Sequence, residues 1–183
     1  SVTELYCGNN ELTSLEGCSN FVTTLYFADN RLTSLEGCPN SVTALYCNNN
    51  QLTSLQGCSN SVTKLYCEHN RLTSLEGCAS SVTILNCGYN LLDSLQGCTN
   101  YVTILYCNNN RLTSLQGCPS SVTTLYCSHN NKNFDLALLP PNVDYLFHNS
   151  EHKNYKNKSL KKIKKFIRED DWIQPNVLEN IFS

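Results

Sequence analysis

A twenty-residue unit, seen at Ser41 to Asn60 as SVTALYCNNNQLTSLQGCSN, recurs without insertion through the first 130 residues. Copies begin at Val2, Val22, Val42, Val62, Val82, Val102 and Val122, the last running into different sequence after Asn130. A period this short and this strict rules out an ordinary compact core. Each copy is too small to bury an apolar face by itself, so the copies must stack on one another.

Within a unit the apolar positions are fixed. Val42, Leu45 and Cys47 are followed by Asn50, then by Leu52, Leu55 and Cys58. The stretch VTALYC alternates, with Leu45 and Cys47 to one side and Ala44 and Tyr46 to the other, the period of a strand. Stacked copies make a parallel sheet whose inward Val, Leu and Cys lie over their counterparts. The asparagines at 10, 30, 50, 70, 90, 110 and 130 fall where the chain leaves the strand. There an amide, with its two donors and one acceptor, can satisfy backbone groups of its own copy and of the next.

The pattern (V)xxLx(C)xxNxLxxLxx(C) resembles the leucine-rich repeat family, with Val in place of its first Leu and Cys in place of two others. The resemblance covers residues 1 to 130. It implies an α/β-type solenoid dominated by a parallel sheet. At twenty residues the unit leaves little room for a helix on the convex side, so an extended or single-turn 3₁₀ path is expected, with the glycines at 17, 37, 57, 77, 97 and 117 at a tight bend needing φ > 0. In the style of its short, Cys-rich copies the chain also resembles leucine-rich repeat proteins encoded by giant DNA viruses of amoebae, and more distantly bacterial effectors. That likeness implies residence in a host cytoplasm or a virion.

Twelve cysteines in a short chain normally suggest a disulfide framework. Here six fill one position of the unit and six another, and Phe27 stands at the single gap in the first series. A position that accepts Cys or Phe behaves as an apolar pocket. Side chains in parallel register have poor directions for bridging, so mostly reduced thiols in an intracellular setting are expected.

Tyr6, Tyr26, Tyr46, Tyr66, Asn86, Tyr106 and Tyr126 form the outward column. Two readings stand side by side: rings that stabilise stacking, and a tyrosine-lined recognition surface on the concave face. Copies differ most at the first strand position and at the two positions after the inward Cys. Among them Lys64, Glu68, His69, Ile84, Tyr89 and Ile104 make the most distinctive central patch, and with Tyr46, Tyr66 and Tyr106 they form the candidate partner-binding face. At the other end nothing precedes Val2 to cover the first repeat. The first coil would expose a strand edge and the stack Val2, Leu5, Cys7, Leu12 and Leu15. The expectation is lost upstream residues or an end-to-end homodimer.

Residues 1–150 are therefore read as the solenoid, seven regular strands with a degenerate eighth at Pro141 to Asn149, and 151–183 as a helical C-terminal cap. In that cap Leu160, Ile163, Phe166 and Ile167 share one helical face, and a second short helix follows Pro175. Residues 1 to 130 carry four basic against eight acidic residues and residues 151 to 183 eight against five, within a net charge of −2. The lysine run from Lys156 to Arg168 is read as the solvated face of the cap helix; nucleic acid or anionic lipid is the alternative. No window suits a membrane span, and the stretch that opens the sequence lacks the charged and apolar regions of a signal peptide.

Catalytic patterns are missing: there is no Gly-rich phosphate loop, no HExxH and no GxSxG. Pairings of Cys67 with His69 or Cys127 with His129 place the thiol in the core, and no CxxC knuckle suggests zinc. No cofactor is expected. The sequence reads as a non-enzymatic protein-interaction module, the alternatives being a structural or virion-associated self-assembling protein and a nucleic-acid binder acting through the lysine helix.

Overall fold

The computed structural model describes residues 2–148 and the backbone of 165–167. Its strands are three residues long and recur once per copy: β1 (Glu4–Tyr6), β2 (Thr24–Tyr26), β3 (Ala44–Tyr46), β4 (Lys64–Tyr66), β5 (Ile84–Asn86), β6 (Ile104–Tyr106) and β7 (Thr124–Tyr126). β8 (Tyr145–Phe147) and β9 (Lys165–Ile167) follow, and all nine lie in chain order in one sheet. Neighbours are parallel and in register, so that Leu25, Leu45, Leu65 and Leu85 are successive partners. From β7 to β8 the step lengthens by one residue, Leu125 pairing with Leu146.

Every coil closes by the same two turns. Cys58 N–H donates to Leu55 C=O at 3.1 Å, with Gly57 between them at φ +83°. A positive φ at the third residue of a four-residue turn defines type II and favours glycine. There is a second reason for glycine here: a Cβ on Gly57 would lie 2.5 Å from the backbone nitrogen of Glu36 in the preceding coil. Val62 N–H to Ser59 C=O at 3.1 Å closes the second turn. Among the described residues there is no helix, so the side opposite the sheet is an extended path joined by turns. The α/β character expected from the family resemblance is corrected to all-β over these residues.

Val42, Leu45, Cys47, Leu52 and Leu55 are fully buried, and so are their counterparts through the central coils. Phe27 fills the Cys position of its coil and is as buried as the thiols. The second Cys series, from Cys18 to Cys118, is only half-buried, packed against the rim of this core.

Asn70 shows how the polar column works. Its Oδ1 accepts the Leu52 N–H at 2.9 Å, and its Nδ2 donates to the carbonyls of Cys47 (3.0 Å), Cys67 (3.1 Å) and Glu68 (3.3 Å). Asn30, Asn50, Asn90 and Asn110 repeat this set. Each asparagine thus ties its own loop to the coil before it. Thr43, Thr63 and Thr83 add hydroxyl bonds to the threonine carbonyl one coil earlier, at 3.1 to 3.2 Å.

At the C-terminal end, the helix expected through Leu160, Ile163, Phe166 and Ile167 is corrected at Lys165–Ile167, which pair with β8 as a parallel strand. Propensity yields here to the hydrogen-bonding edge that β8 presents. The remainder of the 151–183 cap, including its lysine run, lies outside the described residues.

Candidate interaction face

On the sheet face turned away from the core, Tyr6, Tyr26, Tyr46 and Tyr66 stack ring on ring, with centroids 4.3 to 4.5 Å apart and planes within 14°. Parallel register dictates this, since each ring stands on the residue paired with the next. Tyr106, Tyr126 and Phe147 form a second run, at 4.3 and 3.9 Å. Asn86 separates the two runs. Its Oδ1 folds back to accept the Gly88 N–H at 3.2 Å.

Strand pairing gathers several of the candidate residues. Lys64, Ile84 and Ile104 are consecutive partners at the first position of β4, β5 and β6. Tyr66 and Tyr106 flank Asn86 at the third. Lys64 is exposed, the two isoleucines half-buried. Tyr46 stands one strand earlier, stacked on Tyr66.

Glu68, His69 and Tyr89 lie beyond the strand ends. His69 and Tyr89 occupy the left-handed region at φ 53° and 51°, a position held by Asn9, Asn49 and Asn109 in other coils. Asn and Asp tolerate this conformation, and His is enriched there to a degree, whereas Tyr has no such preference. The two rings stack at 4.1 Å with Tyr89 48% exposed. Glu68 is half-buried, with Oε2 closed off from solvent and accepting no hydrogen bond among the described residues. Burial pushes its carboxyl up to about 6.

In the first coil Val2 (62%) and Leu12 (41%) are exposed, Leu5 and Cys7 pack half-buried against the core, and Leu15 is fully buried. Of the five residues expected at an end-to-end contact, the exposed ones are therefore Val2 and Leu12.

All twelve cysteines are free. Burial, reinforced by neighbouring thiols, holds Cys47, Cys67 and Cys107 well above the ordinary thiol range and pushes Cys58 to about 12. A thiol so strongly held in its neutral form is a poor nucleophile. Cys67 is buried while His69 is exposed, and Cys127 and His129 are divided likewise. Sequence reading overlooked a different contact, Cys127 Sγ to His148 Nδ1 at 3.9 Å, with Phe134 against the imidazole. Aligning Val143, Leu146 and His148 with Val122, Leu125 and Cys127 places this histidine in the inward Cys column. Among the described residues no group of three or more His, Cys, Asp or Glu could hold a metal ion, and no helix is long and apolar enough to cross a membrane.

No family model matches the sequence, and no curated protein matches it significantly. Among solved structures, the chain is similar to YopM from Yersinia enterocolitica WA-314, with 24% identity and a TM-score of 0.68 over 81% of this chain and 38% of that one. It is also similar to the functional domain of InlJ from Listeria monocytogenes, which includes a cysteine ladder, with 26% identity and a TM-score of 0.66 over 90% of this chain and 38% of that one. The leucine-rich repeat domain of APL1B matches over 90% of this chain and 52% of its own, at 19% identity and a TM-score of 0.63. The chain thus spans well under half the length of the first two. What these likenesses establish is the architecture, a parallel β-solenoid whose structural neighbours are leucine-rich repeat proteins.

Proposed function

We propose that the chain is a non-enzymatic module that binds a protein partner through the outward face of β3 to β6. Its contact surface comprises Tyr46, Lys64, Tyr66, Glu68, His69, Ile84, Tyr89, Ile104 and Tyr106. The observation that carries this reading is the His69–Tyr89 pair. A tyrosine in the left-handed region, half exposed, stands where three other coils have the asparagine, and one the aspartate, that suits the backbone. Every copy shares this backbone, but holding a tyrosine in it costs about 1 kcal/mol or more, and residues kept at such a cost cluster at ligand-binding and switch regions. Tyrosine and histidine also supply large, rigid contact area at low entropic cost.

The test is capture of a partner by immobilised protein, with wild type compared against Tyr89→Asn and Tyr66→Ala. Both variants are expected to keep the solenoid's circular dichroism and to lose the partner, while an exposed change away from the face, Tyr101→Ser, retains it. Equal capture by all four proteins overturns the reading.

A second surface is favoured by the exposure of Val2 and Leu12. The outer edge of β1 can accept one more coil in register, from a longer chain or from a second copy. A light-scattering mass equal to one chain at micromolar concentration removes the second copy.

A further inference from the structure

We propose that the back of the solenoid, the extended path opposite the sheet, is a contact surface for a second copy of this chain. The two copies pack back to back about a two-fold axis parallel to the stack of coils. Both sheet faces stay free for the partner described above.

Each coil crosses this surface as a short extended stretch, Arg71 to Glu76 in the fourth coil, with its leucines buried and with Arg71, Thr73 and Glu76 exposed. Stacking turns the exposed positions into three columns. Arg31, Arg71 and Arg111 stand in the first, threonines in the second except for Asp93, and Glu16, Glu36 and Glu76 in the third. Arg31 pairs with Glu11 of the preceding coil, Nη2 to Oε1 at 2.6 Å. Arg71 has no such neighbour, since Gln51 and Leu91 stand on either side of it in the column. Among the described residues neither its guanidinium nor the Glu76 carboxylate has an ion pair or hydrogen bond.

Charge then selects the arrangement. Rotation about that axis lays the first column of one copy over the third column of the other, coil against equal coil. Arg71 meets Glu76 of the second copy and Arg31 meets Glu36, each pair made twice. Between them Gln51 meets Gln56, and the small Thr73 and Ser74 meet at the centre, which lets the chains approach. In the sixth coil Arg111 meets the neutral Gln116. Glu11 faces Glu16 of the second copy, a repulsion offset in part by the Arg31 held against Glu11. Sliding one copy by a single coil breaks both central pairs, leaving Arg71 opposite Gln56 or Gln96. Exposed ion pairs are weak singly; here they act together across one contact. The surface covers roughly 600 Å² per copy, at the small end of specific interfaces, so the association is weak and sensitive to salt.

The experiment is sedimentation velocity of the whole chain over a wide concentration range, at low and high salt, with reductant present to exclude intermolecular disulfides. At low salt the wild-type mass is expected to rise from one chain towards two, and at high salt to return to one. Arg71→Glu and Glu76→Arg each set like charges opposite one another and are expected to remain single chains with unchanged circular dichroism. Mixed in equal amounts, the two variants restore both central pairs and are expected to associate as wild type does, so lost association cannot be ascribed to misfolding. Arg111→Glu, which faces a glutamine, is expected to keep the wild-type mass. Association that survives in Arg71→Glu, that fails to return in the mixture, or that Arg111→Glu abolishes overturns the arrangement. So does a mass that climbs past two chains, because a two-fold contact closes on itself. A mass of one chain at low salt, up to about millimolar concentration, overturns the contact itself.

Discussion

The two faces of the sheet obey one register and follow different rules. On the inward face the column through Cys47 and Cys67 accepts a phenylalanine at 27, yet every residue in it from 27 to 127 is buried. On the outward face the tyrosine column accepts asparagine at 86 and phenylalanine at 147, and rings stack only where both neighbours are aromatic. Inside, each change is weighed against the whole packed core. Outside, from β1 to β6, it is weighed against two neighbours and solvent, whereas Thr124 and Tyr126 of β7 are buried; the copies differ most on that side.

Leu65→Ala, at a fully buried position in the middle of the array, should break the contrast most strongly from within. A loss of about 2 to 5 kcal/mol is expected in urea unfolding. Asn70→Ala removes the four bonds described above and leaves buried backbone groups without partners. About 2 to 4 kcal/mol should be lost. The same change at the exposed Asn10 is expected to cost at most about 1 kcal/mol.

Glu68 sharpens the comparison, because it is an outward residue that pays an inward cost. Its carboxyl is raised from 4.5 to about 6 by burial, so the folded chain binds more protons than the unfolded chain between these values. Stability therefore falls as pH rises through that window. Glu68→Gln should match wild type near pH 4 and exceed it near pH 8, by about 1 to 2 kcal/mol. Equal unfolding midpoints at pH 8 would refute the burial of that charge. The smallest effect belongs to Asn86→Tyr, which joins the two ring runs and should gain about 1 kcal/mol.

Much of this was legible because one periodicity controls both faces. Leu45, Cys47 and Tyr46 could be assigned to their sides from alternation, and Phe27 identified the Cys position as a pocket before any coordinates. Where the period changes, legibility ends. One extra residue between β7 and β8 hides the equivalence of His148 with Cys127. At Lys165–Ile167 a helical spacing of apolar residues gave way to pairing with β8, a contact that local sequence does not encode. The candidate patch could be found as the positions where copies differ. The stacking of His69 on Tyr89 could not, because nothing in a tyrosine's identity announces a left-handed backbone; the signal was the asparagine at the same position in other coils.

The asparagine bonds have a consequence for how such a chain changes over time. Asn70 grips Leu52 and Cys47 in the coil before it, and Asn50 grips Leu32 and Phe27 in the same way. Every coil offers its successor the same groups, so the fold carries no record of how many coils it contains. Gene rearrangements that add or drop a whole unit leave each junction chemically unchanged, whereas shifts of a residue or two misalign every bond downstream. Length can therefore be inherited in steps of one coil, and a lineage can lengthen or shorten its outer surface while the joints between coils stay the same.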